Sequence, residues 1–287
     1  MSFGAVLDAL STSGEPDSPY RAHALLRDME QLYSLGIEDV QPNSICYNLA
    51  LSCWARSSHP QAGPYAEALL SRMEELFTSG EYGGLVCPDK ISYTTTIRAW
   101  GNTRRRTSIQ GETVSVVQRT EEIVSKMEHM YFQEGKEVMK PDEYTYSTAI
   151  DTIGKSGEHG AAPRAEAIVR RMELLHAEGK TDVQPTRVIY TAVIDAHAKS
   201  GERGAAECAE AILSHMEDAY YMRRNAAAKP NWISYTAVID AWAKCREEGA
   251  AKRAEAVLRR MQEKYEEGDE DVRPNAITYA VVINAYA

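Results

Sequence analysis

The chain has 287 residues, of which 44% are apolar and 26% charged, and a formal net charge of -10. Five cysteines without a C-x-x-C pair exclude the disulfide framework of a small secreted domain and point to reduced thiols inside a cell, and no apolar run reaches transmembrane length or resembles a signal peptide. An acidic chain has no general attraction to nucleic acid, so any such binding needs a local basic stripe.

Taken in chain order, the first 43 residues are a partial unit in which Phe3 holds the place later filled by tyrosine. A proline and a tyrosine five residues apart then recur at Pro42/Tyr47, Pro88/Tyr93, Pro141/Tyr146, Pro185/Tyr190, Pro230/Tyr235 and Pro274/Tyr279, a period of 44 to 53 residues. Self-similarity at that period predicts an array of one supersecondary unit, each copy burying its apolar face against its neighbours. The units run 44–89, 90–142, 143–186, 187–231 and 232–275, and 276–287 begins one more. Incomplete units at both ends predict a piece of a longer array.

The clearest copy begins at Tyr190. Tyr190, Val193, Ile194 and His197 keep the i, i+3, i+4, i+7 spacing of a helix face, Ser200-Gly201 interrupts it, and Ala209, Ile212, Leu213 and Met216 resume it. Each unit is therefore predicted to be a helical hairpin whose second helix carries a methionine: Met29, Met73, Met127, Met172, Met216 or Met261. Tyrosine to methionine is 26 residues in four full units and 34 in the unit from Tyr93, whose extra length falls between Arg104 and Val116 and predicts a long surface loop. Its basic run Arg104-Arg105-Arg106 reads as a solvated loop rather than a phosphate contact. Trp54, Trp100 and Trp242, seven after the tyrosine, predict a core position that His197 shares as a packing residue.

Pro-Asp or Pro-Asn, a branched residue two before the tyrosine, an Ile-x-Ala helix, a Lys-x-Gly turn, then Ala-Glu and Met-Glu together resemble the pentatricopeptide repeat. The resemblance covers nearly the whole chain, although the units are longer than the family's usual ones. It implies an all-α fold, a right-handed α-solenoid of stacked helix-turn-helix hairpins, and single-stranded RNA as partner, one base read per repeat. It also implies residence in a mitochondrion or chloroplast and a role in organellar RNA processing, stability or translation. The extra residues between and after the helices are expected on the outer face.

By the same resemblance, base-reading pairs are the residue after each tyrosine and the residue after the next proline: Asn48 with Asp89, Thr94 with Asp142, Ser147 with Thr186, Thr191 with Asn231, and Thr236 with Asn275. The family's correspondence reads them as U, G, unassigned, A and A. Taken on their own, Asn and Asp after a proline are also ordinary helix N-caps. Ile45, Ile91, Val188, Ile233 and Ile277, with Tyr144 as the exception, would sandwich the bases; a buried row at the helix start would read the same in sequence. Arg56, Lys155, Lys199 and Lys244 would meet phosphates, with Asn102 interrupting the row. Asp151, Asp195 and Asp240 stand four residues before three of these cations, so local ion pairs should cancel part of their charge.

No catalytic motif, cofactor signature or small-molecule site is read from the sequence, so the segment is expected not to be an enzyme. The repeated aspartates build no metal site. Equivalent residues on stacked helices lie about 8–10 Å apart, against about 2.0–2.6 Å for an ion's ligands, and Cys46 and Cys53 have no histidine cluster beside them. A protein-binding helical scaffold is the alternative, favoured by the acidic balance and glutamate-rich loops, and other proteins are the second class of partner. No membrane is expected.

Overall fold

A computed structural model describes residues 3–103, 108–109, 112–223, 225–245 and 247–286, so the Arg104-Arg105-Arg106 run lies outside the described residues. The chain divides into two compact units, Met1–Thr152 and Ile153–Ala287. The first holds α1 (Phe3–Ser13), α2 (Ser18–Ser34), α3 (Ser44–Arg56), α4 (Ala62–Ser79), α5 (Lys90–Gly101), α6 (Val116–Phe132) and most of α7 (Glu143–Ser156). The second holds the end of α7, then α8 (Ala161–Ala177), α9 (Arg187–Ser200), α10 (Ala205–Tyr221), α11 (Trp232–Lys244), α12 (Ala250–Glu266) and α13 (Ala276–Ala285). None of the described helices is long and apolar enough to cross a membrane.

Within each unit a first helix packs on its own second helix, on the second helix before it and on the next first helix: α3 touches α2, α4 and α5, and α11 touches α10, α12 and α13. That is the contact pattern of stacked hairpins in an α-solenoid. Among the described residues, the long loop of the 90–142 unit also carries one antiparallel pair, β1 (Ser108–Ile109) with β2 (Glu112–Thr113).

The helix starts follow from local chemistry. Five of the six repeat prolines precede a residue whose side chain accepts from the first-turn amides: Asn43 from Cys46 N, Asp89 from Ser92 N, Asp142 from Thr145 N, and Asn231 and Asn275 from two amides each. Between the helices of a hairpin the sequences SGEHG and SGERG form one turn. Ser156 and Ser200 bond back to Ile153 O and His197 O, and Gly160 and Gly204 take left-handed φ of 74° and 75°, where a Cβ would strain the backbone.

The core consists of the repeat tyrosines from Tyr47 to Tyr235, the aliphatics that follow them and the second-helix methionines, whereas Tyr279 is exposed; Tyr47, Trp54, Met73 and Trp100 are wholly buried. The tryptophan position is the core position that the spacing predicted, and His197 shares it at 2% exposure. First helices approach closely where a residue is small. A Cβ on Gly101 of α5 would lie 2.8 Å from Thr152 Oγ1 of α7, and one on Gly154 would lie 2.9 Å from Ala196 Cβ of α9.

The extra residues after the second helix are not wholly external. They fold into a single 3₁₀ turn at Glu137–Met139, Ala226–Ala228 and Glu270–Val272, and the last residue of each, Met139, Ala228 and Val272, is buried. An apolar residue at the end of the turn gains more by closing the hairpin's end than by facing water. Lys229 joins two such turns, 2.9 Å from Asp269 and 2.7 Å from Asp271.

Candidate nucleic-acid interface

One interaction holds neighbouring hairpins in register. The hydroxyls of Tyr47, Tyr93, Tyr190 and Tyr235 donate to Glu30, Glu74, Glu173 and Glu217, each the residue after a second-helix methionine, and Tyr146 donates to Glu128 at 2.9 Å. Four of these glutamates also meet the basic side chain that precedes the next methionine: Arg72 reaches Glu30 at 3.1 Å, Lys126 reaches Glu74 at 2.5 Å, His215 Nε2 lies 2.7 Å from Glu173, and Arg260 pairs with Glu217. Burial pushes these tyrosines well above their ordinary pKa, and for Tyr47, Tyr93 and Tyr190 the bonded carboxylate adds to the effect. The Met-Glu dipeptide of the sequence is thus an acceptor for the next repeat's tyrosine.

A second recurring contact lies one turn in. Trp100 Nε1 donates to Glu67 at 3.1 Å and Trp242 Nε1 to Glu210 at 2.9 Å, and His197 Nε2 sits 3.4 Å from Glu166. Burial lowers the His197 pKa against the pull of Glu166. At the first interface the acceptor's place is His23, and Trp54 Nε1 is buried without a hydrogen-bond partner.

On this frame, the first turns of the first helices present the side chains singled out in the sequence. Ile45, Ile91, Val188, Ile233 and Ile277 are 67%, 56%, 59%, 46% and 57% exposed, and Tyr144 is 58% exposed. The row is therefore not core. An apolar or aromatic side chain thus stands in water at the same place in each of the six first helices from α3 to α13.

The paired residues singled out in the sequence lie beside that row. Asn48 Nδ2 donates to Asp89 Oδ1 at 3.3 Å, and Ser92 Oγ lies 2.7 Å from Asn48 Oδ1 and 2.9 Å from Asp89 Oδ1. Thr94 Oγ1 lies 3.1 Å from Thr145 Oγ1, which bonds Asp142 Oδ1 at 3.0 Å. Thr191 Oγ1 meets Ser234 Oγ at 3.0 Å, and Thr236 Oγ1 meets Thr278 Oγ1 at 3.0 Å. Ser234 and Thr278 in turn bond Asn231 and Asn275. Four pairs are thus each bridged by the hydroxyl just before a repeat tyrosine, a residue the sequence reading passed over although Ser or Thr stands there four times.

Exposure differs along the set. Thr94 and Thr236 are buried, at 4% and 9%, whereas Asn48, Thr191 and the caps Asp89, Asp142, Asn231 and Asn275 are half-buried. Ser147 turns its hydroxyl back to Tyr144 O at 3.1 Å. Thr186 makes no side-chain cap, and the place before its tyrosine is the apolar Ile189. Asp142 is partly buried, which raises its pKa, but Lys90 Nζ at 2.5 Å and the bonds from Thr145 outweigh that and hold it below the usual carboxylate range.

The basic row is exposed but largely engaged. Lys199 lies 3.4 Å from Asp195, Lys244 pairs with Asp240, and Arg56 Nη1 donates to Ser11 O at 2.8 Å at the end of α1; Lys155 is exposed. The i, i+4 pairs that the sequence predicted for Lys199 and Lys244 are formed. Among the described residues no cluster of three or more His, Cys, Asp or Glu could hold a metal ion.

Residues 223–287 match the family model of the pentatricopeptide repeat domain. No curated protein matches. Two crystal structures of the pentatricopeptide repeat protein PPR10 in complex with an 18-nt psaJ RNA element, one of them a cysteine-to-serine variant, align over 100% of this chain with 19% identity and a TM-score of 0.39. The chain spans 38% of the length of those proteins. The hairpins upstream of the matched segment repeat its proline, tyrosine and methionine place by place.

Proposed function

We propose that this array binds single-stranded RNA, with bases entering between the exposed aliphatic side chains and their edges meeting the pairs 48/89, 94/142, 191/231 and 236/275. The observation that carries the reading is the exposure of Ile45, Ile91, Val188, Ile233 and Ile277, each 46% or more, beside hydrogen-bonding groups of fixed geometry. Aliphatic faces supply stacking that every base accepts, and the polar pair supplies selection. Work in a mitochondrion or chloroplast, in RNA processing, stability or translation, is what the resemblance to pentatricopeptide repeats implies. The segment carries no chemistry of its own in this reading.

Phosphate contact is a minor part of the affinity, because Lys199 and Lys244 are already paired. The test is binding to a 5′-U-G-x-A-A-3′ RNA and to scrambled RNAs at two salt concentrations, for the parent and for an Ile45→Ser, Ile91→Ser, Ile233→Ser variant. All three side chains are exposed, so folding is expected to be kept. The expected result is selective binding with a shallow salt dependence, weakened at least tenfold in the variant. Absence of binding to any RNA would overturn the proposal and leave the protein-scaffold alternative.

A further inference from the structure

The bridges between the paired residues fix more than position. They fix where the protons are, and so which groups of each pair donate and which accept. At Thr94/Asp142, the lowered pKa keeps Asp142 ionised at neutral pH, and a carboxylate only accepts. Thr145 has one hydroxyl proton, and Asp142 Oδ1 at 3.0 Å takes it. Thr145 must then accept from Thr94 at 3.1 Å, which leaves Thr94 Oγ1 with lone pairs only. The pair presents two acceptors.

The same accounting applies where the cap is asparagine. Asn231 Oδ1 accepts from Ile233 N at 3.1 Å and from Ser234 N at 3.2 Å, which turns its amide so that oxygen faces the helix and Nδ2 faces away. Ser234 Oγ donates to the same oxygen at 3.2 Å, so Thr191 donates to Ser234 at 3.0 Å and presents lone pairs. Thr236, Thr278 and Asn275 repeat the arrangement at 3.0 Å and 3.3 Å. These pairs present one acceptor and one donor. At Asn48/Asp89, Ser92 holds the Asn48 oxygen and Asp89 Oδ1 takes one amide hydrogen, leaving an N–H of Asn48 beside Asp89 Oδ2.

Guanine offers two donors on its Watson–Crick edge, adenine a donor and an acceptor, and uracil a donor between acceptors. Two acceptors suit guanine, an acceptor with a donor suits adenine, and an amide N–H beside a carboxylate oxygen suits uracil. We propose that Ser92, Thr145, Ser234 and Thr278 are positioning residues of base selection: each hydroxyl polarises the pair around it, so that a threonine which alone could donate or accept is held as an acceptor. The inference rests on the RNA-binding reading above.

The test uses Ser234→Ala. Asn231 keeps both backbone bonds, so the helix cap and the fold are retained, while Thr191 is free to turn and donate. Binding is measured to U-G-x-A-A and to the same RNA with G or C at the fourth base, the one assigned to Thr191/Asn231. The expected result is a loss of about tenfold in preference for A at that base, the worth of one hydrogen bond, with preference at the first and second bases unchanged and full recovery in Ser234→Thr. An unchanged preference for A in a folded Ser234→Ala protein would overturn the inference while leaving RNA binding intact. A parent that binds RNA without preference at any base overturns it as well, and a parent that binds no RNA overturns both readings. Thr278→Ala puts the same question to the Thr236/Asn275 pair and decides the matter if Ser234→Ala does not fold.

Discussion

Tyr47→Phe probes the link that joins hairpins with a single oxygen removed. The phenol donates to Glu30 Oε1, while Arg72 holds Oε2 through Nη2 at 3.1 Å and Nε at 3.3 Å. A hydrogen bond to a charged group contributes about 1.5–3 kcal/mol net. Tyr47 is wholly buried, but the Glu30 side chain is 20% exposed and keeps Arg72, so water replaces part of what is lost. The expected cost is therefore near the low end, about 1.5 kcal/mol. Because a stack of repeats does not unfold in one step, the assay is native-state hydrogen exchange: amides of α3 and α4 should exchange about tenfold faster and those of α11 and α12 at the parent rate. Glu30→Gln completes a double-mutant cycle, with a coupling of about 1 kcal/mol between the two changes. Strict additivity, or a cost below about 0.5 kcal/mol, would refute the link as a source of stability.

Three further outcomes are expected. His23→Glu places an acceptor where Glu67 and Glu210 serve the other tryptophans, and should stabilise the first repeats by about 1 kcal/mol through Trp54 Nε1, seen as a higher urea midpoint. Gly63→Ala would set a Cβ 2.4 Å from Trp100 and 2.8 Å from Thr103 Oγ1, and should cost about 1–3 kcal/mol in the same measurement. Alkaline titration should destabilise the array from about pH 10 upwards. Unfolded tyrosines release their proton there while Tyr47, Tyr93, Tyr190 and Tyr235, raised in the fold, keep theirs, so the folded state binds more protons and stability falls with rising pH by up to about 1.4 kcal/mol per unit for each. Tyr47→Phe should reduce that slope by about one tyrosine's share.

The hairpins and their starts are legible in the sequence because caps, helix periods and turns are decided within a few residues: Pro230-Asn231 and Tyr235 are enough to place α11. What stays illegible depends on neighbours more than forty residues away. An isoleucine two before a tyrosine reads alike whether it is core or exposed, and only the close approach of one first helix to the next settles that Ile45 and Ile277 stand in water. The bridge from Thr94 to Thr145 requires the same approach, so neither residue alone signals it. In the 90–142 unit the extra length announces a loop, but strands of two residues are too short to leave a pattern.

The tyrosine–glutamate link also says where such an array can be cut and rejoined. The donor sits in one repeat and the acceptor in the repeat before it, so a single hairpin is a half-finished joint at both ends, a plug on one side and a socket on the other. A hairpin transplanted from elsewhere needs only a tyrosine that meets the upstream Met-Glu and a Met-Glu of its own that meets the downstream tyrosine. Its first-helix face is then open to change without disturbing the stack.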